Sequence, residues 1–251
     1  MRNIKLTIEY DGKDFNGWQK QPNKLNIQGT IEQAIKTITG EEVDLQASGR
    51  TDAGVHALGQ VANFKTNSTI PTEKIPIALN CNLKKSIRIL KAEEVDEKFH
   101  SRLNCKNKTY RYIINNSEIP SAIYRNLETH IPYKLDIEKM TQAVKQFEGE
   151  HDFKAFKASG TSSKSSIRTI YNAQIIQMPN NRIYIELTGN GFLYNMVRII
   201  AGTLVDVGIG KIKPEEIIKI IESKDRAKSG KTLPPQGLYL VQVKYNTELD
   251  K

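Results

Sequence analysis

The stretch SGRTDAGVHALGQ, Ser48 to Gln60, sets one carboxylate, Asp52, two residues after Arg50 and four before His56, among three glycines. Glycoside hydrolysis by an acid/base pair would need a second carboxylate beside it. A metal site would need more ligands. A lone carboxylate can be a nucleophile, or it can cap the following turn AGVHA. The residues by themselves leave both open. His56 offers a general base, but a structural imidazole hydrogen-bonded within the turn is the reading favoured here.

Other reactive residues are scattered. Arg198 sits in FLYNMVRII, where a cation either snorkels to the surface or serves a site. Tyr110 and Tyr112 alternate in KTYRY and share one strand face, so either can be core. His151-Asp152 in GEHDF resembles part of a triad, yet no Ser or Cys is paired with it, and the segment reads as a turn whose Phe153 and Phe156 pack inward. Trp18 in FNGWQKQP is expected to be half-buried beside Gln19, Lys20 and Gln21.

The net charge is +9 over 251 residues, which favours polyanionic partners. It is uneven: Met1 to Cys105 carries 15 basic and 13 acidic residues, and Lys106 to Lys251 carries 22 and 15. Between Asp152 and Glu186 stand Lys154, Lys157, Lys164, Arg168 and Arg182 with no acid, interleaved with the small-residue run SGTSSKSS. The stretch is either a solvated face or a phosphate-tracking loop, and the loop is slightly favoured because hydroxyls and lysines both suit phosphate oxygens. Two cysteines exclude a disulfide framework. No apolar signal core and no run of 18 apolar residues is present, so a cytoplasmic protein without membrane attachment is expected. Gly49 to Gly54 has phosphate-loop spacing, but Val55 and His56 stand where Lys and Ser/Thr are required. The four histidines have no clustered cysteines, so a zinc deaminase is excluded. No metal and no cofactor is indicated.

Periodicity supplies the elements that must position these residues. NIKLTIEY alternates as a strand. Ile27, Ile31, Ile35 and Ile38 recur as a helix ended by Gly40. VDLQASG and QVANFKT are strands flanking the Asp52 turn, TEKIPIALN is a short helix, and SIRILKAEEV is a strand. The second half repeats this order. KTYRYIIN is a strand. Asp136 caps a helix carrying Ile137, Met140, Val144 and Phe147. SIRTIYNAQIIQM and RIYIELTG form a hairpin across Pro179-Asn180-Asn181. FLYNMVRIIAGTLVDVG and PEEIIKIIES are helices, and LYLVQVKY is the closing strand. The fold class is α+β. Two tandem split-βαβ (ferredoxin/RRM-like) domains, 1–105 and 106–251, are expected, with antiparallel-rich mixed sheets, helices on one face and a central cleft.

The chain resembles the tRNA pseudouridine synthase A family. The resemblance rests on GRTDAGVHALGQVANF, with MRNIKLTIEYDGKDFNGWQKQPN, IQGTIEQAI, FHSR, KTYRYII, FEGEHDF, IELTGNGFLYNMVRIIAGTLVDVG and GKTLPPQGLYLVQV in the same order. It implies a cofactor-free homodimer that isomerises uridine to pseudouridine at positions 38, 39 and 40 in the anticodon stem-loop of tRNA. Asp52 would be the nucleophile, Arg198 its counter-ion, and Tyr110 the platform for the target base. Arg50 is read as reaching RNA phosphate or propping open the flipped-base pocket, and Lys154, Lys157, Lys164 and Arg168 as contacting phosphates. A non-catalytic tandem RNA-binding module and an RNA glycosylase are the competing readings.

Overall fold

The computed structural model describes residues 1–160 and 165–245. The chain forms two compact units: Met1–Asn107 together with the segment from Tyr239, and Lys108–Leu238. In the first unit Ile4, Leu6, Ile8 and Tyr10 alternate along β1 (Arg2–Tyr10), and all four are buried. Helix α1 (Ile27–Thr39) follows. The Asn26 side chain accepts from the Gly29 N–H at its start. Gly40 ends it at φ +76°, a conformation open to glycine, with its N–H on the Lys36 carbonyl. Next come β2 (Gln46–Ala47) and β3 (His56–Thr66). Only these two residues of VDLQASG pair, against Asn63 and Ala62, so the expected strand there is a short ladder.

A 3-10 turn, Thr72–Lys74, leads into α2 (Ile75–Asn82), with Pro76 in the first helical turn where no intrahelical N–H is needed. Strand β4 (Ile87–Val95) completes this stretch. Strands β4, β1, β3 and β2 lie side by side in that order, each pair antiparallel.

The second unit takes up β5 (Asn107–Asn115) from Lys108 onward, with a short parallel partner, β6 (Thr129–His130). Asp136 caps α3 (Ile137–Lys145) by accepting from the Lys139 N–H, and Met140, Ala143 and Val144 are buried. The segment expected as a turn at GEHDF is instead β7 (Gly149–Asp152), antiparallel to β8 (Ile167–Met178). A four-residue strand with no apolar alternation is visible only through its pairing. The 3-10 turn Phe153–Phe156 follows, and Phe147, Phe153 and Phe156 pack edge to face in the core. Strand β8 turns into β9 (Arg182–Gly189) through Asn180 and Asn181, both at positive φ, which asparagine tolerates. Strands β5, β9, β8 and β7 run in that order, antiparallel.

Helix α4 spans Met196–Gly208, four residues later than its apolar run begins, because Asn195 before it is left-handed at φ 60°. Helix α5 is Glu216–Ser223. The closing strand β10 (Leu238–Lys244) departs from the expected repeat. It returns to the first unit and pairs in parallel with β3, Tyr239 opposite His56 and Leu240 opposite Ala57.

Candidate active site

Asp52 is half-buried on the turn between β2 and β3. The turn closes through the Val55 N–H on the Asp52 carbonyl at 3.2 Å, with Gly54 at φ +77°. It is held from below. The buried Tyr10 and Thr51 hydroxyls share a hydrogen bond of 2.7 Å, and the Trp18 N–H donates to the Thr51 carbonyl at 3.0 Å. The Ser48 hydroxyl donates to Gln60 Oε1, and Gln60 Nε2 donates back to the Gly49 carbonyl. Burial pushes the Tyr10 hydroxyl well above its ordinary range, against the bonds from Thr51 and Gln60, so it stays protonated at neutral pH.

Two glycines let the loop after β1 lie directly on this turn. A Cβ on Gly12 would stand 2.0 Å from the Val55 carbonyl oxygen, and one on Gly17, at φ +83°, 2.6 Å from that of Thr51. Trp18, expected to be half-buried, is 2% exposed and part of this support. His56 is buried. Its Nδ1 accepts from the Gly12 N–H at 3.1 Å and its ring stacks on Tyr239 at 4.8 Å. Asp11 Oδ1 also lies 3.1 Å from Nδ1. An Nδ1 that accepts the Gly12 bond carries no proton for Asp11, so we read the Gly12 bond as the one formed. Arg50 is exposed.

In the second unit, Tyr110 and Tyr112 lie on one face of β5, both buried. Tyr110 meets the Phe192 ring edge-on at 5.0 Å. Tyr112 is a core residue whose hydroxyl contacts Thr129 Oγ1 at 2.6 Å and donates to the Pro234 carbonyl at 2.7 Å. Arg198, on the first turn of α4, does not snorkel freely. Its Nε donates to the Leu233 carbonyl at 2.6 Å and its Nη1 to Asn195 Oδ1 at 2.7 Å. Tyr112 and Arg198 therefore grip neighbouring carbonyls of the TLPP segment. Sequence reasoning missed Asn195 as a support; its signal is a left-handed residue three positions before the arginine.

The basic residues separate into two groups. Arg168, half-buried on β8, folds its Nη1 back onto the carbonyls of Ser165 and Ile167. Lys154 and Lys157 border a pocket of about 680 Å³ with Ser159, Lys224 and Arg226. Lys224 and Arg226 were not singled out from sequence, although both stand in the basic stretch SKDRAK. Lys164 lies outside the described residues. Among the described residues no three His, Cys, Asp or Glu side chains gather as a metal site, and no helix is long and apolar enough to cross a membrane.

A family profile described as tRNA pseudouridine synthase matches residues 6–104 and 143–246. Proteins named tRNA pseudouridine synthase A are 57% identical in Caldicellulosiruptor bescii and Caldicellulosiruptor saccharolyticus and 54% identical in Acetivibrio thermocellus. Each alignment covers 98% of this chain and 100% of the relative. Among solved structures, that of an archaeal box H/ACA sRNP complex aligns with 80% of this chain and 44% of that chain, at 13% identity and a TM-score of 0.36.

Proposed function

Because the chain belongs to the tRNA pseudouridine synthase family, we propose that it isomerises uridine to pseudouridine at positions 38, 39 and 40 of the tRNA anticodon stem-loop, with Asp52 as the nucleophile. The reaction breaks the C–N glycosidic bond, joins a ring carbon to the same ribose carbon, and balances by the loss of that ring carbon's proton and the gain of one proton at the freed ring nitrogen. The base detaches, rotates and reattaches, so nothing is oxidised and no energy donor is consumed. One carboxylate that forms and releases a covalent bond to the nucleoside is sufficient.

The observation that carries this reading is the mounting of Asp52. Its turn is fixed by the Tyr10–Thr51 bond, the Trp18 N–H and backbone contacts that only glycine permits at Gly12 and Gly17. A nucleophile gains from such fixed geometry. A simple turn cap would not need it. Arg198 is assigned as the counter-ion that favours the ionised carboxylate, and Tyr110 as the aromatic surface for a base taken out of its stack. Arg50, Lys154, Lys157, Lys164 and Arg168 are assigned to phosphates. The working form is a cytoplasmic homodimer that needs no cofactor.

Incubating the purified protein with an unmodified tRNA transcript, followed by position-resolved nucleoside mapping, tests this function. Pseudouridine confined to positions 38 to 40 is the expected product. Free uracil would make the protein a glycosylase, and unchanged uridine a binding module.

A further inference from the structure

We propose that Lys154, Lys157, Lys224 and Arg226 form a single pocket that grips backbone phosphate of the RNA substrate. The proposal rests on the reading of tRNA as substrate and adds Lys224 and Arg226 to its contacts. Two separate segments bring these cations together, one around Lys154 and Lys157 and one from Lys224 to Arg226. Lys154 and Lys157 come from the 3-10 turn after β7 and its C-terminal cap, Lys224 from the end of α5, and Arg226 from the turn Arg226–Lys228. They line an open pocket of about 680 Å³, a volume that accommodates a phosphodiester with its sugar. Among the described residues Asp152 is the one carboxylate on its walls, so positive charge prevails there. Ser159 borders the same space with a hydroxyl able to donate to phosphate oxygens, while the Ser166 hydroxyl donates to Asp152 Oδ1.

Two of the cations, Arg226 and Lys224, are held in place. Arg226 is pinned by donating to Ser229 Oγ at 2.9 Å, the Gly230 carbonyl at 3.0 Å and Thr232 Oγ1 at 3.1 Å, so little side-chain freedom remains to be lost on binding. Lys224 Nζ lies 3.0 Å from Asp152 Oδ2. The Ser166 hydroxyl, then Lys224 itself, draw the Asp152 carboxyl below its ordinary value against the opposing effect of burial, so at neutral pH it remains an anion that orients the amine. Lys224 also occupies a left-handed backbone position, φ 53° and ψ 16°. Glycine or asparagine fits that conformation at lower cost. Lysine there sacrifices local backbone preference and places an amine at the pocket.

The backbone conformation at residue 224 makes a clean test possible. Lys224→Asn removes the amine while suiting the left-handed residue, so the melting temperature should hold or rise. The tRNA dissociation constant of wild type, Lys224→Asn and Lys154→Gln/Lys224→Asn is measured across a salt series. Each lost phosphate contact should flatten the log–log slope by about 0.9 on duplex RNA, or about 0.7 on single strands, taking the polyelectrolyte estimate made for DNA. The double variant should lose about twice as much. An unchanged slope in the double variant would overturn the pocket. So would tight binding of inorganic pyrophosphate lost in Lys224→Asn while the RNA slopes coincide, because that assigns the pocket to a free phosphate. Failure of the tRNA reading itself shows earlier and separately, as wild type that does not bind tRNA, and it removes both proposals. Binding without pseudouridine formation removes only the catalytic one.

Discussion

The Arg198 guanidinium spends its Nε on the Leu233 carbonyl and its Nη1 on Asn195 Oδ1. Lysine keeps the charge but cannot span both acceptors as a planar fork does. Arg198→Lys should therefore retain partial turnover at best, and Arg198→Ala almost none. Alanine also strips both acceptors of their donor, which costs about 1–3 kcal/mol of stability in urea denaturation. Lost stability with full turnover would return Arg198 to a purely structural role. Tyr10 supplies a pH test. Its folded pKa is raised by burial, so the associated stability is fully present below the unfolded value, roughly 10, and is lost as pH rises toward the folded value. Urea midpoints followed from pH 8 to 11 should fall more steeply for wild type than for Tyr10→Phe. Tyr112, buried and raised in the same direction, remains in both proteins and keeps some slope in the variant.

The loop after β1 is the element on which the Asp52 turn rests. Gly12→Ala would drive a Cβ to 2.0 Å from the Val55 carbonyl oxygen, backbone against backbone. We expect it to destabilise the protein by about 1–3 kcal/mol and to lower turnover by more than the unfolded fraction explains, since the turn itself must shift. Normal turnover per folded molecule in Gly12→Ala would detach the loop from the site. Local signals made much of this fold legible. Helix α1 was readable from Ile27, Ile31 and Ile35 and the Gly40 stop, and the β8–β9 hairpin from Asn180-Asn181, because spacing and backbone preference act within a few residues. What was not legible depends on distant partners. Strand β7 exists through its ladder to β8, and α4 starts late because of one left-handed asparagine. Trp18 looks polar-flanked in sequence and is buried because Gly17 lets it fold under Thr51. The site was half readable for the same reason: Asp52 stood out in its own segment, while its supports Tyr10, Gly12 and Gly17 lie some forty residues upstream.

At the scale of the whole molecule the chain crosses between units twice. Element order suggested that LYLVQVKY closes the second half, yet β10 pairs with β3. The Tyr239 ring lies on His56, Lys106 N–H donates to the Lys244 carbonyl, and Tyr245 donates to the Ser101 carbonyl. A chain ending at Leu238 should therefore damage the first unit. Trp18 is the only tryptophan and is buried there, so its emission should shift to longer wavelength in the truncated chain. Unchanged emission would mean that the first unit stands without its returning strand.

The central claim is that Asp52 performs the chemistry and does not simply bind RNA. Its most direct test compares turnover and affinity in one variant, Asp52→Ala, using purified protein and an unmodified tRNA transcript. Pseudouridine should be undetectable, while the tRNA dissociation constant changes by less than about 1 kcal/mol, since removing a carboxylate near phosphates costs little binding and can improve it. Measurable pseudouridine formation by Asp52→Ala would contradict the account.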